Sequence, residues 1–282
     1  MKYIVLALSI ALFSCNEVSE SPSDEAPDGN ERALPKNMVY SYDCIKKDSG
    51  SISEVISKAD DLLGKVATFN IEVTDEEQNS FGEMFLDQSL KNENFRIDST
   101  SPLNSKLQVI LKELLRKRVA PTDIKYKMYL LHDTTSINAY TVGGKIFITK
   151  AMLNKCTNDD QLYAIIGHEI GHNEKGHIKK SIKQIKATNR ILGSWGNAFL
   201  AIKRILTGSF NHKNELEADF YGLDLTWKAG YDICAIQSFW TDMAKDEQRN
   251  AINDFFRTHP YSDTRSQCIV NHIQRNFKLD CK

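Results

Sequence analysis

The sequence has little of what several large classes of protein depend on. Its 282 residues include six cysteines, no two of them spaced as C-x-x-C, and the formal net charge is −1. These features argue against a zinc ribbon, which needs paired cysteines, and against a nucleic-acid-binding protein, which needs a basic surface. No apolar run reaches the roughly 20 residues of a membrane-spanning helix, and we find neither a phosphate-binding glycine loop nor an internal repeat. The length suits one folded domain, with or without a helical appendage.

The amino end has the pattern of a secretory signal. Lys2 is followed by a short apolar run that ends at Phe13, and Cys15 comes shortly afterwards. This end resembles the lipobox of bacterial lipoproteins, which implies cleavage before Cys15 and acylation of that cysteine. An ordinary cleaved signal peptide is the alternative, since Phe13 is larger than the usual residue at its position.

The next stretch predicts a tether between a membrane and a folded domain. Residues 16–36 are rich in proline and carboxylates and contain almost nothing apolar, so they cannot offset the entropy lost on ordering. We therefore expect a signal peptide over 1–14, an acylated cysteine with a flexible linker over 15–36, and a folded domain over 37–282. The implied location is the bacterial cell envelope, on the periplasmic face, with a lipid membrane as partner through Cys15.

The other cysteines fit an exported protein, because disulfides form outside the cytoplasm. Their odd number predicts at least one free thiol in a monomer, and the sequence does not reveal which of them pair. They are Cys44, Cys156, Cys234, Cys268 and Cys281.

Apolar periodicity predicts a mainly helical chain with one small antiparallel or mixed sheet, an α+β fold. The expected strands are 126–132 and a hairpin over 137–149 that turns at Gly143 and Gly144. Segment 191–206 is apolar but carries Lys203 and Arg204, and it could be a lid, a membrane-contacting surface or a packed core helix. Besides the helix that carries the motif below, helices are expected over 51–63, 75–93, 103–115, 178–189, 213–228, 235–248 and 263–277.

Five consecutive residues, His168-Glu169-Ile170-Gly171-His172, form an H-E-x-x-H motif. Apolar residues at helical spacing place the motif on a helix, and Asn158 with Gln161 resembles a capping pair at its start. Side chains four apart share a helix face, so both imidazoles can bind one zinc ion. Glu169 then lies beside the open position and can take a proton from a zinc-bound water. The alternative is an amphipathic helix whose two histidines merely share a face.

A catalytic zinc usually has three protein ligands, so one more is needed. His177 is out of register with H-E-x-x-H-x-x-G-x-x-H, and we expect it to be an exposed or packing residue. Glu215, 43 positions after His172, is the predicted third ligand. Asp219 shares its helix face and is expected to accept the remaining N–H of a ligand histidine. Glu217 points elsewhere and is expected to be a solvated charge.

Three segments of the chain together resemble the CAAX prenyl proteases, the HtpX-type proteases and their soluble periplasmic relatives, which are zinc metalloendopeptidases of the gluzincin type. The first is the motif helix with Glu215 and Asp219. The second is Asn138-Ala139-Tyr140 followed by the glycine turn and 145–148. The third is Thr258-His259-Pro260 with Arg265 beyond it. The likeness covers roughly residues 100–275, preceded by a helical extension.

The resemblance implies one zinc ion per chain, bound by His168, His172 and Glu215, and polypeptide substrates. Glu169 would be the general base. His259 would stabilise the oxyanion or, as in some periplasmic relatives, occupy the open position and keep the enzyme latent.

The remaining roles implied by the resemblance concern substrate and supporting contacts. Arg265 would orient the Asp219 region or a substrate carbonyl, and Asn138 would hold the substrate backbone. Apart from the resemblance, the outer strand of the hairpin over 137–149 could accept an extended peptide by strand addition, and Gly144, Lys145 and Ile146 are expected substrate-binding residues. The physiological substrates would be misfolded or misassembled envelope proteins. A chaperone-like binding module with a structural or closed zinc site is the alternative.

Overall fold

The computed structural model describes residues 31–47, 68, 70–192, 210–245, 259 and 263–281. The predicted signal peptide, most of the predicted tether, the predicted helix over 51–63 and nearly all of segment 191–206 lie outside this part of the chain. No helix within it is long and apolar enough to cross a membrane.

The described residues contain eight α-helices and a three-stranded sheet, which confirms the α+β class. The predicted helix over 75–93 ends earlier, at Ser89, and the one predicted to start at 178 begins at His177. A short 3-10 helix, Asp43–Lys47, precedes these elements. The helices are α1 (Asp75–Ser89), α2 (Leu103–Arg116), α3 (Lys150–Lys155), α4 (Asp159–Glu174), α5 (His177–Leu192), α6 (His212–Lys228), α7 (Ala235–Lys245) and α8 (Asp263–Phe277).

The sheet is mixed, and its middle strand is the last in sequence. Strands β1 (Lys127–Leu131), β2 (Ala139–Val142) and β3 (Lys145–Thr149) lie in the order β1-β3-β2. The hairpin of β2 and β3 is antiparallel as predicted, while β1 runs parallel to β3. Gly143 and Gly144 form the turn with φ of 55° and 83°, a left-handed conformation that glycine adopts without steric cost.

Helix α4 is the centre of the fold. Asn158 caps its start by accepting a hydrogen bond from the Gln161 backbone N–H at 3.0 Å, while the Gln161 side chain accepts from Thr157 instead of completing a reciprocal pair. The helix is buried on all sides from Gln161 to Asn173. Its apolar residues join the main core with α2, the sheet, α6, α7 and α8. Polar side chains on such a helix need partners, because an unpaired buried polar group is costly.

Small residues allow α4 and α6 to approach closely. A Cβ atom placed on Gly167 would lie 2.9 Å from Gly222 Cα, and one placed on Gly171 would lie 2.8 Å from the Ala218 carbonyl oxygen. Side chains on the facing surfaces of the two helices are therefore brought within contact distance, which sets the position of Glu215 relative to the two histidines of α4.

Two disulfides and one free cysteine occur in the described chain. Cys44 bonds to Cys268 and Cys234 to Cys281, while Cys156 is unpaired. The expectation of a free thiol is thereby confirmed. The first bridge fastens the 3-10 helix to α8.

Candidate metal centre

Four buried side chains bring their ligand atoms together where α4 faces α6. His168, His172, Glu215 and His259 each offer one such atom, and these atoms lie within 4.8 Å of one another. The Nε2 atoms of His168 and His172 are 2.9 Å apart. The carboxylate oxygens of Glu215 lie 3.4 Å from His172 Nε2 and 3.6 Å from His168 Nε2.

These separations fit a metal ion. Nitrogen and oxygen ligands at about 2.0–2.1 Å from a tetrahedral zinc ion lie about 3.3 Å from one another. Glu215 Oε1 is fully buried and accepts no hydrogen bond from the described residues, so its lone pairs are available to a cation. Burial holds the pKa of His172 well below its usual value, which keeps the ring neutral as a ligand must be. The donor set of imidazole and carboxylate suits zinc.

His168 is supported by Asp219 and Arg265. Its Nδ1 lies 2.8 Å from Asp219 Oδ1, so an ionised Asp219 accepts the Nδ1 hydrogen and leaves Nε2 with a lone pair. Arg265 donates from Nε to Asp219 Oδ2 at 2.7 Å and places Nη1 2.7 Å from Glu215 Oε2. One buried guanidinium thus fixes the carboxylates of Asp219 and Glu215.

Arg265 also explains why these carboxylates stay ionised. Burial alone would raise the pKa of both, but the adjacent guanidinium holds the pKa of Asp219 at about 2. The pKa of Glu215 is held well below its usual value by Arg265 and His259 against the same effect of burial. Both groups therefore carry negative charge towards the cluster near neutral pH.

His172 has a different supporting pair, which the sequence did not predict. His177, expected to be an exposed or packing residue, is buried, and its Nδ1 lies 3.0 Å from His172 Nδ1. Glu217, expected to be a solvated charge, lies with Oε2 3.0 Å from His177 Nε2, and its side chain is only 24% exposed. The expected exposure of Glu217 is not found, and His177 does more than pack, because α5 begins after only two intervening residues beyond the end of α4 and folds His177 back beside His172.

Glu169 has the surroundings of a general base. It is buried beside the two histidines, and neither of its carboxylate oxygens accepts a hydrogen bond from the described residues. Burial raises its pKa above the usual value, partly offset by nearby His259 and His168. A carboxylate with a raised pKa and open lone pairs is suited to accept a proton and to release it again near neutral pH.

His259 lies inside the cluster rather than beside it. Its Nδ1 is 3.2 Å from His168 Nε2 and 3.3 Å from Glu215 Oε2. On the other side of the ring, Nε2 is 3.5 Å from Glu169 Oε1 and 3.2 Å from the Ala139 carbonyl oxygen of β2. The ring of His259 therefore contacts two of the predicted ligands, the predicted base Glu169 and the sheet at once.

The order of the strands corrects the expectation that Gly144, Lys145 and Ile146 bind a peptide by strand addition. Gly144, Lys145 and Ile146 belong to the turn and to β3, which pairs with β1 on one side and β2 on the other. Their main chain is committed within the sheet, so strand addition cannot take place there. Within the hairpin, β2 is the strand that lies at an edge of the described sheet. Asn138 lies just before β2, and its Oδ1 is buried without a hydrogen-bond partner among the described residues.

Asn173 is a further residue that sequence reasoning missed. Its Oδ1 accepts hydrogen bonds from Gly144 N at 3.0 Å and Gln78 Nε2 at 2.9 Å, and its Nδ2 donates to Thr141 Oγ1 at 2.7 Å. It thereby fixes the end of α4 to the hairpin turn. The feature of the sequence that could have indicated this role is an amide side chain directly after His172 on a buried helix.

Comparison with known proteins finds similarity over the part of the chain that carries the cluster. Residues 101–273 match the pattern of peptidase family M48. Mitochondrial metalloendopeptidase OMA1 of Schizosaccharomyces pombe is 30% identical over 164 residues, covering 52% of this chain and 47% of that protein. Metalloprotease LoiP of Escherichia coli is 28% identical over 196 residues, covering 64% of this chain and 74% of LoiP. The beta-barrel assembly-enhancing protease of Escherichia coli is 27% identical over 159 residues, covering 49% of this chain and 32% of that protein.

Proposed function

The chain belongs to peptidase family M48, and from that premise we propose that it is a zinc metalloendopeptidase. His168, His172 and Glu215 would hold the metal, and Glu169 would be the general base. The observation that carries the proposal is the convergence of buried ligand atoms next to a carboxylate whose oxygens have no hydrogen-bond partner among the described residues. A purely structural metal site would have no use for such a carboxylate.

A zinc ion bound by these residues would lower the pKa of a water molecule from about 15.7 to near 7 and polarise the scissile carbonyl. Glu169 takes a proton from the attacking water onto a carboxylate oxygen. The water oxygen bonds to the carbonyl carbon, the carbon–nitrogen bond breaks, and Glu169 delivers its proton to the departing amine. Because the site is buried, these charges interact more strongly than they would in bulk water.

The edge of the described sheet suits a polypeptide substrate, and a small cavity lies beside the metal centre. The outer edge of β2 can receive an extended peptide by strand addition, with Asn138 just before it to hold the substrate backbone. A cavity of about 20 Å³ beside His168 and Glu169 has walls contributed by four helices and has room for a group about the size of one water molecule. Its apolar wall consists of Ala164, Ile165, Leu223, Ile236, Trp240 and Ile269.

A latent form of the same enzyme is the second candidate, and the position of His259 favours it. Its Nδ1 lies among the ligand atoms, while its Nε2 contacts Glu169 and β2. In this position the ring would lie between Glu169 and the edge of β2, where an extended peptide would have to bind. We therefore propose that His259 holds a resting state and must move before substrate binds.

The proposed setting is the bacterial cell envelope, with the enzyme held to a membrane by acylated Cys15 and the stretch that follows as a tether. The signal-like amino end supports this location. The proposed substrates are misfolded or misassembled envelope proteins. One similar protein is named a beta-barrel assembly-enhancing protease, and another a metalloprotease.

Cleavage of casein or a quenched fluorogenic peptide tests the proposal. Glu169→Gln should keep the metal and lose about 100-fold to 10,000-fold in rate, the usual contribution of a positioned base. Glu174→Gln is the matched control, since it neutralises another buried carboxylate of α4 that pairs with Arg118 away from the cluster. Equal rates in the wild type and Glu169→Gln, with zinc bound in both, would overturn the assignment.

A further inference from the structure

Buried His177 and partly buried Glu217 form a continuous hydrogen-bonded chain with His172. The His172 Nδ1 to His177 Nδ1 distance is 3.0 Å, and the His177 Nε2 to Glu217 Oε2 distance is also 3.0 Å. Phe210 stacks on His172 at 4.0 Å between ring centroids and lies 6.0 Å from His177. The chain therefore runs under an aromatic cover that keeps water away from the first hydrogen bond.

The positions of the hydrogens follow from the partner at the far end. An ionised carboxylate can only accept hydrogen bonds, so Glu217 accepts one from the N–H at His177 Nε2. In the neutral His177 ring, Nδ1 is then an acceptor, and the N–H at His172 Nδ1 donates to it. This tautomer leaves the lone pair of His172 on Nε2, the atom that faces His168 and Glu215.

We propose that His177 and Glu217 are positioning residues of the metal site, which fix the tautomer and ring orientation of His172. The inference rests on the proposed zinc function. The two ligand histidines would then have equivalent support by different routes. Asp219 accepts directly from His168, whereas Glu217 acts on His172 through His177. Outer partners of this kind orient metal-bound histidines and raise their basicity as ligands.

The local fold explains how a residue out of register with the zinc motif reaches this position. Helix α4 ends at Glu174, and Gly176 adopts φ of 74°, a left-handed conformation in which a side chain would be strained. Helix α5 begins at the next residue, His177, which is therefore folded back beside His172. Glu217 lies on α6 two positions after the ligand Glu215 but on a different face, which allows it to meet His177 instead of the metal cluster.

Zinc affinity, measured by equilibrium competition with a chelator, is the main test. His177→Phe keeps an aromatic ring but cannot accept the His172 hydrogen, and it should weaken zinc binding about 10-fold to 100-fold. His177→Gln supplies a side-chain carbonyl as acceptor and should recover most of the loss. Glu217→Ala should also weaken binding, but it should add little in the His177→Phe background, because the two residues act as one chain.

The matched control is His272→Phe, since His272 is another buried histidine close to a carboxylate of α6. Its Nε2 lies 3.4 Å from Asp224 Oδ1, and it takes no part in the metal cluster. This variant should lose some thermal stability and retain wild-type zinc affinity.

Three results would overturn the inference: wild-type affinity in His177→Phe, an equal loss in His272→Phe, or fully additive effects of His177→Phe and Glu217→Ala. If the wild type binds zinc and cleaves peptide, and the variants bind zinc with wild-type affinity, the roles of His177 and Glu217 are wrong but the proposed function stands. If the wild type binds no zinc, the proposed function is wrong as well.

Discussion

Gly222→Ala should destabilise the protein, although the same change in an ordinary helix has the opposite effect. Gly222 lies within α6, where it faces the backbone of α4. In an unconstrained helix interior, alanine is more stable than glycine by about 1 kcal/mol, because it restricts the unfolded chain and favours helix. The outcome therefore depends on whether the space beside Gly222 can hold a methyl group.

The geometry indicates that it cannot. A Cβ atom on residue 222 would lie 2.6 Å from the His168 backbone nitrogen and 2.8 Å from the Gly167 carbonyl carbon. Both atoms belong to the main chain of a buried helix, which cannot turn aside as a flexible side chain would. Overpacking in a dense core costs typically about 1–3 kcal/mol, and such close backbone contacts belong in the upper part of that range. We expect a net loss of about 1–2 kcal/mol in the free energy of unfolding.

The same displacement should loosen the metal site, since it separates the helix that carries Glu215 from the helix that carries both histidines. Urea unfolding and chelator competition measure the two effects. Gly82→Ala is the matched control, because its Cβ would meet the Gly143 carbonyl oxygen at 2.5 Å, away from the cluster. It should lose similar stability and keep its zinc affinity. A Gly222→Ala protein at least as stable as the wild type, with unchanged zinc affinity, would refute the reasoning.

Three further predictions concern the bridges, the buried carboxylate and the resting state. The free energy of unfolding should fall more in Cys44→Ser than in Cys234→Ser. The bridged residues are 224 and 47 positions apart, so loop entropy contributes about 5 against about 4 kcal/mol. Thermal unfolding of the two variants gives the order. The pKa of Asp219 is lowered from 3.8 to about 2, so its stabilising charge is present above pH 4 and is lost as the pH falls towards 2. Asp219→Asn should accordingly flatten the acid dependence of unfolding in metal-free protein, and an unchanged slope would count against the ion pair with Arg265. His259→Ala should raise peptide cleavage if the ring holds a latent state, a fall would indicate oxyanion stabilisation, and an unchanged rate would defeat both roles.

Sequence reasoning succeeded where the structure depends on local periodicity. The H-E-x-x-H spacing and the capping residue Asn158 determine one face and one end of a helix, and the structure has both. The placement of Asp219 beside His168 follows in the same way from its spacing to Glu215 on a second helix. These relations need only the helical repeat and the requirement that a buried polar group be paired.

It failed where the outcome depends on how distant elements meet. The strands of the hairpin were predicted, but the parallel addition of β1 to β3 places Lys145 and Ile146 in the middle of the sheet. The role of His177 depends on the left-handed turn at Gly176, which brings α5 back towards α4. Neither the pairing of nonadjacent strands nor the direction of a chain after a turn is encoded in a repeating pattern.

Anomalous diffraction at the zinc absorption edge, recorded from crystals of the purified protein, tests the proposed site. We expect a single peak within about 2.0–2.2 Å of the Nε2 atoms of His168 and His172 and of a Glu215 carboxylate oxygen. Soaking with a chelator should remove the peak, and Glu169→Gln should retain it. A peak bound by other residues, or no peak in protein that cleaves peptide, would contradict the assignment of these three ligands.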